Sequence, residues 1–268
     1  MISFGVVGDA AKAAAYYCDL ANAAEYYSGG SERVPSRWLG TGAALQGLRG
    51  PVGHDALTDQ LNGKVCDASG GERHLGIQRE GRWQHRAGWD LTVSAPKSVS
   101  IEALVHDRRD VIEAHRKAVV VALSYMEQHA AQARIGGKTV KTGNLTAAAY
   151  DHVSSRSGDP QLHTHLLISN VTYGRDGVAR SLSNEELLRS RRAADAVYHQ
   201  TLSYQLQRLG YAVTHDRHGR VEIADYDRAQ LLDMSTRTAE IEKALAARGL
   251  TTETASPQVK QIIIILSL

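Results

Sequence analysis

Two β-prone runs, 144–153 and 162–172, are joined by a polar loop containing Gly158 and Pro160. They carry His152, His163 and His165. Positions i and i+2 of a strand point to one face, so His163 and His165 project together. In an antiparallel pair His152 can lie opposite them and face the same way. Three imidazoles converging on one point match three protein ligands with open positions, the arrangement of a catalytic metal site rather than a closed structural one. A single histidine here would read as a solvated polar residue; this spacing favours the ligand reading. Three neutral ligands leave the full positive charge on a cation, which suits a phosphodiester transition state. The chain therefore has to build an antiparallel sheet with one face open beside the histidines.

The rest of the sequence reads as antiparallel strands with helices in long connections, an α+β pattern rather than a βαβ series. Residues 2–7 read as a strand and 9–27 as a helix with Asp9 as N-cap. Residues 28–56 read as loops and 63–88 as a long exposed loop or irregular hairpin. The alternation at 89–93 predicts a strand stopped by Pro96. Periodicity over 107–133 predicts a helix ended by Gly136-Gly137. Ser183 with Glu186 resembles a capping box, opening a helix broken near Ser190 and stopping at Gly210. A hairpin is expected over 211–223, turning at His218-Gly219, and a helix over 226–248.

Among 268 residues, 43% are hydrophobic and 22% charged, as in globular domains. The net charge, 31 − 29 = +2, gives no general attraction to nucleic acid, so any such role needs local clusters. Cys18 and Cys66 cannot make a disulfide framework, and no zinc pattern surrounds them. No charged and then apolar N-terminal segment predicts a leader. The longest apolar run, Ile262 to Leu266, is far short of the ~20 residues of a membrane span; it reads as a buried strand or a truncation point. A cytoplasmic protein with no membrane insertion is expected. Gly137-Lys138-Thr139 looks like part of a phosphate loop, but Gln132 stands where the first glycine is required, which excludes an ATPase of that type.

Aromatic usage is lopsided, with 11 Tyr against 1 Phe. Tyr16-Tyr17 and Tyr26-Tyr27 form two pairs ten residues apart, about 15 Å along an unbroken helix. Both pairs would share a face without reaching one metal, unless a break near Asn22 folds the second pair back. A tyrosine nucleophile must ionise about 3 pH units below its usual pKa, a cost of about 4 kcal/mol that a nearby cation can offset.

These segments together resemble the N-terminal relaxase domain of MobF-class conjugative relaxases, within the HUH endonucleases. The resemblance rests on the strand leading to Tyr16-Tyr17 and the second pair, on Gly88 to Ser100 (GWDLTVSAPKSVS), on the three-histidine segment with Asp159-Pro160-Gln161-Leu162 inside it, and on 210–249. The residue between the HUH histidines is Thr164. The resemblance implies an antiparallel β-sheet palm with flanking helices and a C-terminal helical finger-like region. It implies one relaxase domain over 1–268, with the catalytic palm at about 1–180 and a mobile helical region closing over DNA at about 181–268. It also implies site- and strand-specific nicking of a plasmid transfer origin through a 5′-phosphotyrosyl intermediate, with rejoining during conjugation.

Carried onto this chain, Tyr16 looks like the first nucleophile and Tyr26 the second, with Tyr17 and Tyr27 supporting. His152, His163 and His165 look like the metal ligands. Asp90 looks like the carboxylate that orients a ligand histidine and accepts the tyrosine proton. One divalent ion is implied, Mg or Mn in cells, with Zn, Ni or Co fitting in vitro. Implied partners are origin DNA (a hairpin plus single strand), relaxosome accessory proteins, a type IV secretion coupling protein, and a helicase domain in the full-length protein. Arg73, Arg79, Arg82, Arg86 and Lys97, with Trp83 and Trp89, are candidates to grip backbone and stack bases; Arg189, Arg191 and Arg192 form a further cluster. Competing readings are an HUH replication initiator or transposase, a non-catalytic DNA-binding domain, and a metal-dependent hydrolase of small molecules. The first usually places its tyrosine after the histidine pair; the other two leave the tyrosine pairs without a role.

Overall fold

The computed structural model describes residues 1–27, 36–155, 157–247, 249–251, 254 and 256, without the side chains of 20–27, Arg82 and Arg237. The isoleucine run lies outside the described residues, as do the side chains of Tyr26 and Tyr27. In chain order the elements are β1 (Ile2–Val7), α1 (Ala10–Tyr27), β2 (Arg37–Leu39), α2 (Thr41–Leu45), α3 (His54–Leu61), β3 (Lys64–Cys66), β4 (Glu72–His74), β5 (Ile77–Arg79), β6 (Arg82–Gln84) and β7 (Gly88–Ser94). There follow α4 (Lys97–Leu104), α5 (Arg109–Ala130), β8 (Gln132–Ile135), β9 (Lys138–Lys141), β10 (Ala147–Ser154), β11 (Pro160–Ser169), β12 (Thr172–Tyr173) and β13 (Ala179–Arg180). The last are α6 (Glu185–Arg208), β14 (Val213–His215), β15 (Val221–Ile223), α7 (Arg228–Asp233) and α8 (Thr236–Ala246).

A five-stranded sheet of order β1-β7-β11-β10-β2 carries the fold, and every neighbouring pair in it is antiparallel. Its strands alternate with period 2, which separates two faces. Trp89, Leu91, Val93, Leu162, Leu166, Ile168, Ala147 and Ala149 point into the main core. There they meet apolar residues of α4, α5 and α6, such as Val99, Met126 and Leu202. Each large side chain buried this way contributes about 1.5–3 kcal/mol. On the opposite face Ala148, Tyr150 and Leu167 pack with Ala14 and Tyr17 of α1 and with Leu57 and Leu61 of α3. The α+β architecture expected from the sequence is therefore observed, as a sheet between two helical layers.

Several local expectations are corrected. Segment 28–56 is not all loop: its described part holds β2, α2 and α3. The chain turns there at Gly40 (φ +94°), where a Cβ would lie 2.3 Å from the Leu145 carbonyl oxygen, an approach only glycine permits. Gly136-Gly137 does not cap α5; with φ of 57° and 80° it forms the turn between β8 and β9. The N-cap of α6 is Asn184 without a side-chain cap bond, so the Ser183–Glu186 box is absent. Helix α6 passes Ser190 unbroken, with that hydroxyl bonded back to the Leu187 carbonyl at 2.9 Å. Helix α1 is also continuous, with no break near Asn22, and Asp9 caps it by accepting from the Lys12 amide at 2.9 Å. Segment 226–248 splits into α7 and α8 around Met234-Ser235, and α7 opens with a true capping box between Asp227 and Gln230.

Candidate active site

Antiparallel register puts His152 directly opposite His163, and Tyr150 opposite His165. The ring centroids of the three histidines stand 4.8–5.2 Å apart. One ligand nitrogen from each can be chosen so that all lie within 4.8 Å of one another. Two rings are oriented from behind. His163 Nδ1–H donates to the Gln161 carbonyl at 2.9 Å, and His165 Nδ1–H to the Asp90 carboxylate, 2.9 Å from either oxygen. Those acceptors set the tautomer that leaves Nε2 with a free lone pair. Burial, reinforced by its two histidine neighbours, pulls the pKa of His152 down to about 4. Burial also lowers that of His163, partly opposed by the Gln161 carbonyl. Both are therefore neutral at pH 7, the form a cation needs. Three convergent, half-buried nitrogen donors fit a divalent cation that keeps open positions for substrate.

Asp90 reaches the site from β7, which neighbours β11, with Asp90 paired to Leu167 and Thr92 to His165. Its carboxylate also accepts from the Tyr17 hydroxyl at 2.8 Å. Tyr17 is 7% exposed and packs on Tyr150 at 5.3 Å and on His165 at 5.2 Å. Burial, then the charge and hydrogen bond of Asp90, drive its pKa well above that of an ordinary tyrosine. Tyr16 meets Tyr17 edge-on at 5.0 Å, yet it is 57% exposed. The pair thus divides: the Tyr17 hydroxyl is bonded inward to Asp90, and Tyr16 is exposed beside it.

Two further residues, not expected from the sequence, adjoin the site: Thr92, whose hydroxyl lies 3.3 Å from His165 Nδ1, and Tyr150, which backs Tyr17. The i, i+2 spacing of Asp90 and Thr92 could have flagged the first. The candidate basic residues fall on several different elements. Arg73 is engaged by Asp67, at 3.0–3.2 Å. Lys97 Nζ donates to the Pro160 carbonyl at 2.9 Å, at the start of the ligand strand. Arg79 pairs in register with Arg82 in the β5–β6 hairpin, where Ile77 and Trp83 are exposed. Arg191 and Arg192 are exposed on α6, in the helical layer across the sheet from the histidines.

The family model described as TrwC relaxase matches residues 10–267. The multifunctional conjugation protein TraI of Escherichia coli is 38% identical over 222 residues, covering 79% of this chain. TraI of strain K12 is 36% identical over 223 residues, again covering 79% of this chain. The chain spans only 12% of the length of either relative. Among solved structures, TrwC complexed with a 27-mer DNA comprising the recognition hairpin and the cleavage site is similar, with 37% identity and a TM-score of 0.82. So are metal-bound TrwC in complex with oriT DNA (38%, TM-score 0.79) and its copper-bound form (39%, TM-score 0.83). Each of these matches covers 100% of this chain and 90% of the other. No helix among the described residues is long and apolar enough to cross a membrane. The sheet order, the oriented histidine triad beside a tyrosine pair, and a match along nearly the whole sequence lead to one assignment: the chain belongs to the TrwC relaxase family.

Proposed function

We propose that this domain nicks one strand at a plasmid transfer origin and rejoins it, through a covalent tyrosyl–DNA ester. The observation that carries the reading is the exposed Tyr16, edge-on against Tyr17, which itself packs on His165 of three convergent imidazoles. Tyr16 attacks the scissile phosphorus, the P–O3′ bond breaks, and the 3′ oxygen leaves and takes a proton from solvent water. The 5′ end stays on Tyr16 as a phosphotyrosyl ester. One phosphoester replaces another, so rejoining needs no ATP. Asp90 keeps His165 in its Nδ1–H tautomer and is assigned the tyrosine proton. Tyr17, held by Asp90, braces Tyr16 and is a poor nucleophile. His152, His163 and His165 would hold a divalent ion, which supplies positive charge against the non-bridging phosphate oxygens. In cells that ion is Mg or Mn; the nitrogen-rich donor set also suits Zn, Ni or Co in vitro.

Tyr26 is assigned the second transfer, with Tyr27 supporting it. Because α1 is unbroken, it sits about 15 Å along the helix from Tyr16. The second step therefore requires α1 to shift over the histidines. The DNA-closing region is proposed over about 181–268; the part after β15 is its better candidate for movement, since α6 buries Leu187, Tyr198, Leu202 and Leu206 in the main core. Origin DNA with a hairpin, accessory proteins, a secretion coupling protein and a helicase in a longer cytoplasmic chain complete the proposed setting.

The test is incubation with supercoiled plasmids carrying transfer origins and Mn2+, followed by denaturing electrophoresis. A covalent adduct is expected, lost in Tyr16→Phe and on chelation, and kept in Tyr17→Phe. An adduct that survives Tyr16→Phe would move the nucleophile to Tyr17 or Tyr26. No adduct on any origin would favour a binding-only domain.

A further inference from the structure

The residues interleaved with the ligands are polar on a face that is otherwise apolar. Strand alternation sends Asp151 and Thr164 away from the triad: Asp151 precedes His152, and Thr164 lies between His163 and His165. Their neighbours on that face, Ala147, Ala149, Leu162, Leu166 and Ile168, belong to the main core. Yet Asp151 is 3% exposed and Thr164 0%. A buried carboxylate is costly unless it is paired and hydrogen-bonded, so an apolar pair would be the default here.

Asp151 and Thr164 are direct cross-strand partners, and the Thr164 hydroxyl donates to Asp151 Oδ1 at 2.6 Å. The other oxygen, Oδ2, accepts from Arg37 Nη1 of β2 at 2.7 Å and from Arg116 Nε of α5 at 2.8 Å. With its proton given to Asp151, Thr164 Oγ1 accepts from His115 Nε2–H at 3.0 Å. His115 Nδ1 in turn accepts from the Tyr198 hydroxyl of α6 at 2.8 Å. Five elements thus meet directly behind the ligand strands.

The ladder slips between His152 and Ser154, so His152 is the last residue of β10 in register before the irregularity. Among the described residues its ring makes no hydrogen bond, whereas His163 is held by the Gln161 carbonyl and His165 by Asp90. Its ring stacks on Tyr17 with centroids 6.3 Å apart but has no polar bond to fix its direction, so its placement leans on the backbone, and the polar anchor next to it is Asp151.

We propose that Asp151, acting through Thr164, Arg37 and Arg116, is a positioning residue of the metal site: it pins the irregular end of β10 to β11 and holds His152 opposite His163 before a cation arrives. This rests on reading the triad as a cation site. It separates the ligands into two kinds, two oriented by bonds to their own rings and one oriented through the strand that carries it.

The test titrates Co2+ into the metal-free domain, reading affinity by calorimetry and ligand geometry from the visible d–d bands, with near-ultraviolet circular dichroism as the check on folding. Thr164→Val removes the hydroxyl and keeps the β-branched shape; it should weaken Co2+ binding at least tenfold and alter the bands as one imidazole is lost. Thr164→Ser restores the hydroxyl and should stay within twofold of wild type. Arg116→Gln, at the partly exposed outer end of the network, should weaken binding about threefold or more. Wild-type affinity and bands in folded Thr164→Val overturn the proposal, as does equal weakening in Thr164→Val and Thr164→Ser, which would assign the effect to packing. If Thr164→Val does not fold, Arg116→Gln decides, and unchanged affinity there overturns it. A wild-type domain that takes up no Co2+ overturns the metal reading itself, and this proposal with it.

Discussion

Asp90→Asn isolates what the carboxylate behind His165 contributes. Asp90 accepts from two donors, His165 Nδ1–H at 2.9 Å and the Tyr17 hydroxyl at 2.8 Å. A hydrogen bond to a charged acceptor contributes about 1.5–3 kcal/mol, and a neutral one about 0.5–1.5. Asparagine keeps a single carbonyl oxygen. If His165 is to present Nε2 to a cation, its Nδ1–H must claim that oxygen. The amide NH2 then faces Tyr17, whose hydroxyl has to reverse from donor to acceptor. Two charge-assisted bonds become two neutral ones, a loss of about 1–3 kcal/mol. At about 1.4 kcal/mol per decade, metal affinity should fall roughly 10- to 100-fold, the usual effect of removing a partner that orients a ligand histidine. Stability without metal should change by much less, because a partly buried charge is also removed. Calorimetric titration of Mn2+ into metal-free wild type and Asp90→Asn, with thermal melts in EDTA, reads both quantities. Equal Mn2+ affinity in the two proteins would refute the orienting role. Tyr17→Phe, which removes one of the two donors and leaves the carboxylate, should change Mn2+ affinity less than threefold in the same assay.

Burial lowers the pKa of His85 and His199 to about 4 and that of His115 to about 3. With folded values below the unfolded value near 6.5, the unfolded chain binds more protons in that window. Metal-free stability should therefore be full above pH 6.5 and fall towards pH 4, by up to about 1.4 kcal/mol per pH unit for each group; denaturant midpoints that stay flat across this window would contradict it. Gly88 opens β7 with φ +151°, and a Cβ there would lie 2.1 Å from the Ile168 carbonyl oxygen. Gly88→Ala should cost at least about 2 kcal/mol in chemical denaturation, from backbone strain plus the displaced β11 carbonyl. Asp159 accepts from the Thr236 amide and hydroxyl at 3.1 and 2.7 Å, tying the loop between the ligand strands to the start of α8. Asp159→Ala should speed limited proteolysis over 226–250 severalfold while Co2+ affinity stays within twofold; unchanged cleavage would show that α8 is anchored elsewhere.

The histidine face was legible without a structure, because strand alternation is a local rule: a side chain's face follows from parity alone. The same rule, applied to 89–93, would have set Asp90 and Thr92 on the face opposite Trp89, Leu91 and Val93, although it could not say which strand would lie beside β7. Where local signals compete, the reading failed. Gly136-Gly137 serves a hairpin as well as it would a helix end. The turns of α2 and α3 are too short for periodicity to reveal. Ser190 stays inside α6, whose flanking turns bury Leu187 and Ala194 in the core, so a serine alone does not mark a break.

The division of labour within Tyr16-Tyr17 shows the boundary most clearly. Consecutive helix residues point about 100° apart, so only one of two adjacent tyrosines can face the sheet. The sequence requires that they differ. Which one is buried depends on how α1 docks on Tyr150 and Leu167, and docking is set by contacts more than a hundred residues away in the chain. The bond from Asp90 to His165, 75 positions apart, has the same origin. By itself the sequence determined which candidate groups are present and that the three histidines can share a face, since both follow from residue type and backbone period. Only the tertiary structure decided that Tyr17 bonds to Asp90 while Tyr16 faces outward, because that choice depends on packing between elements that no local pattern encodes.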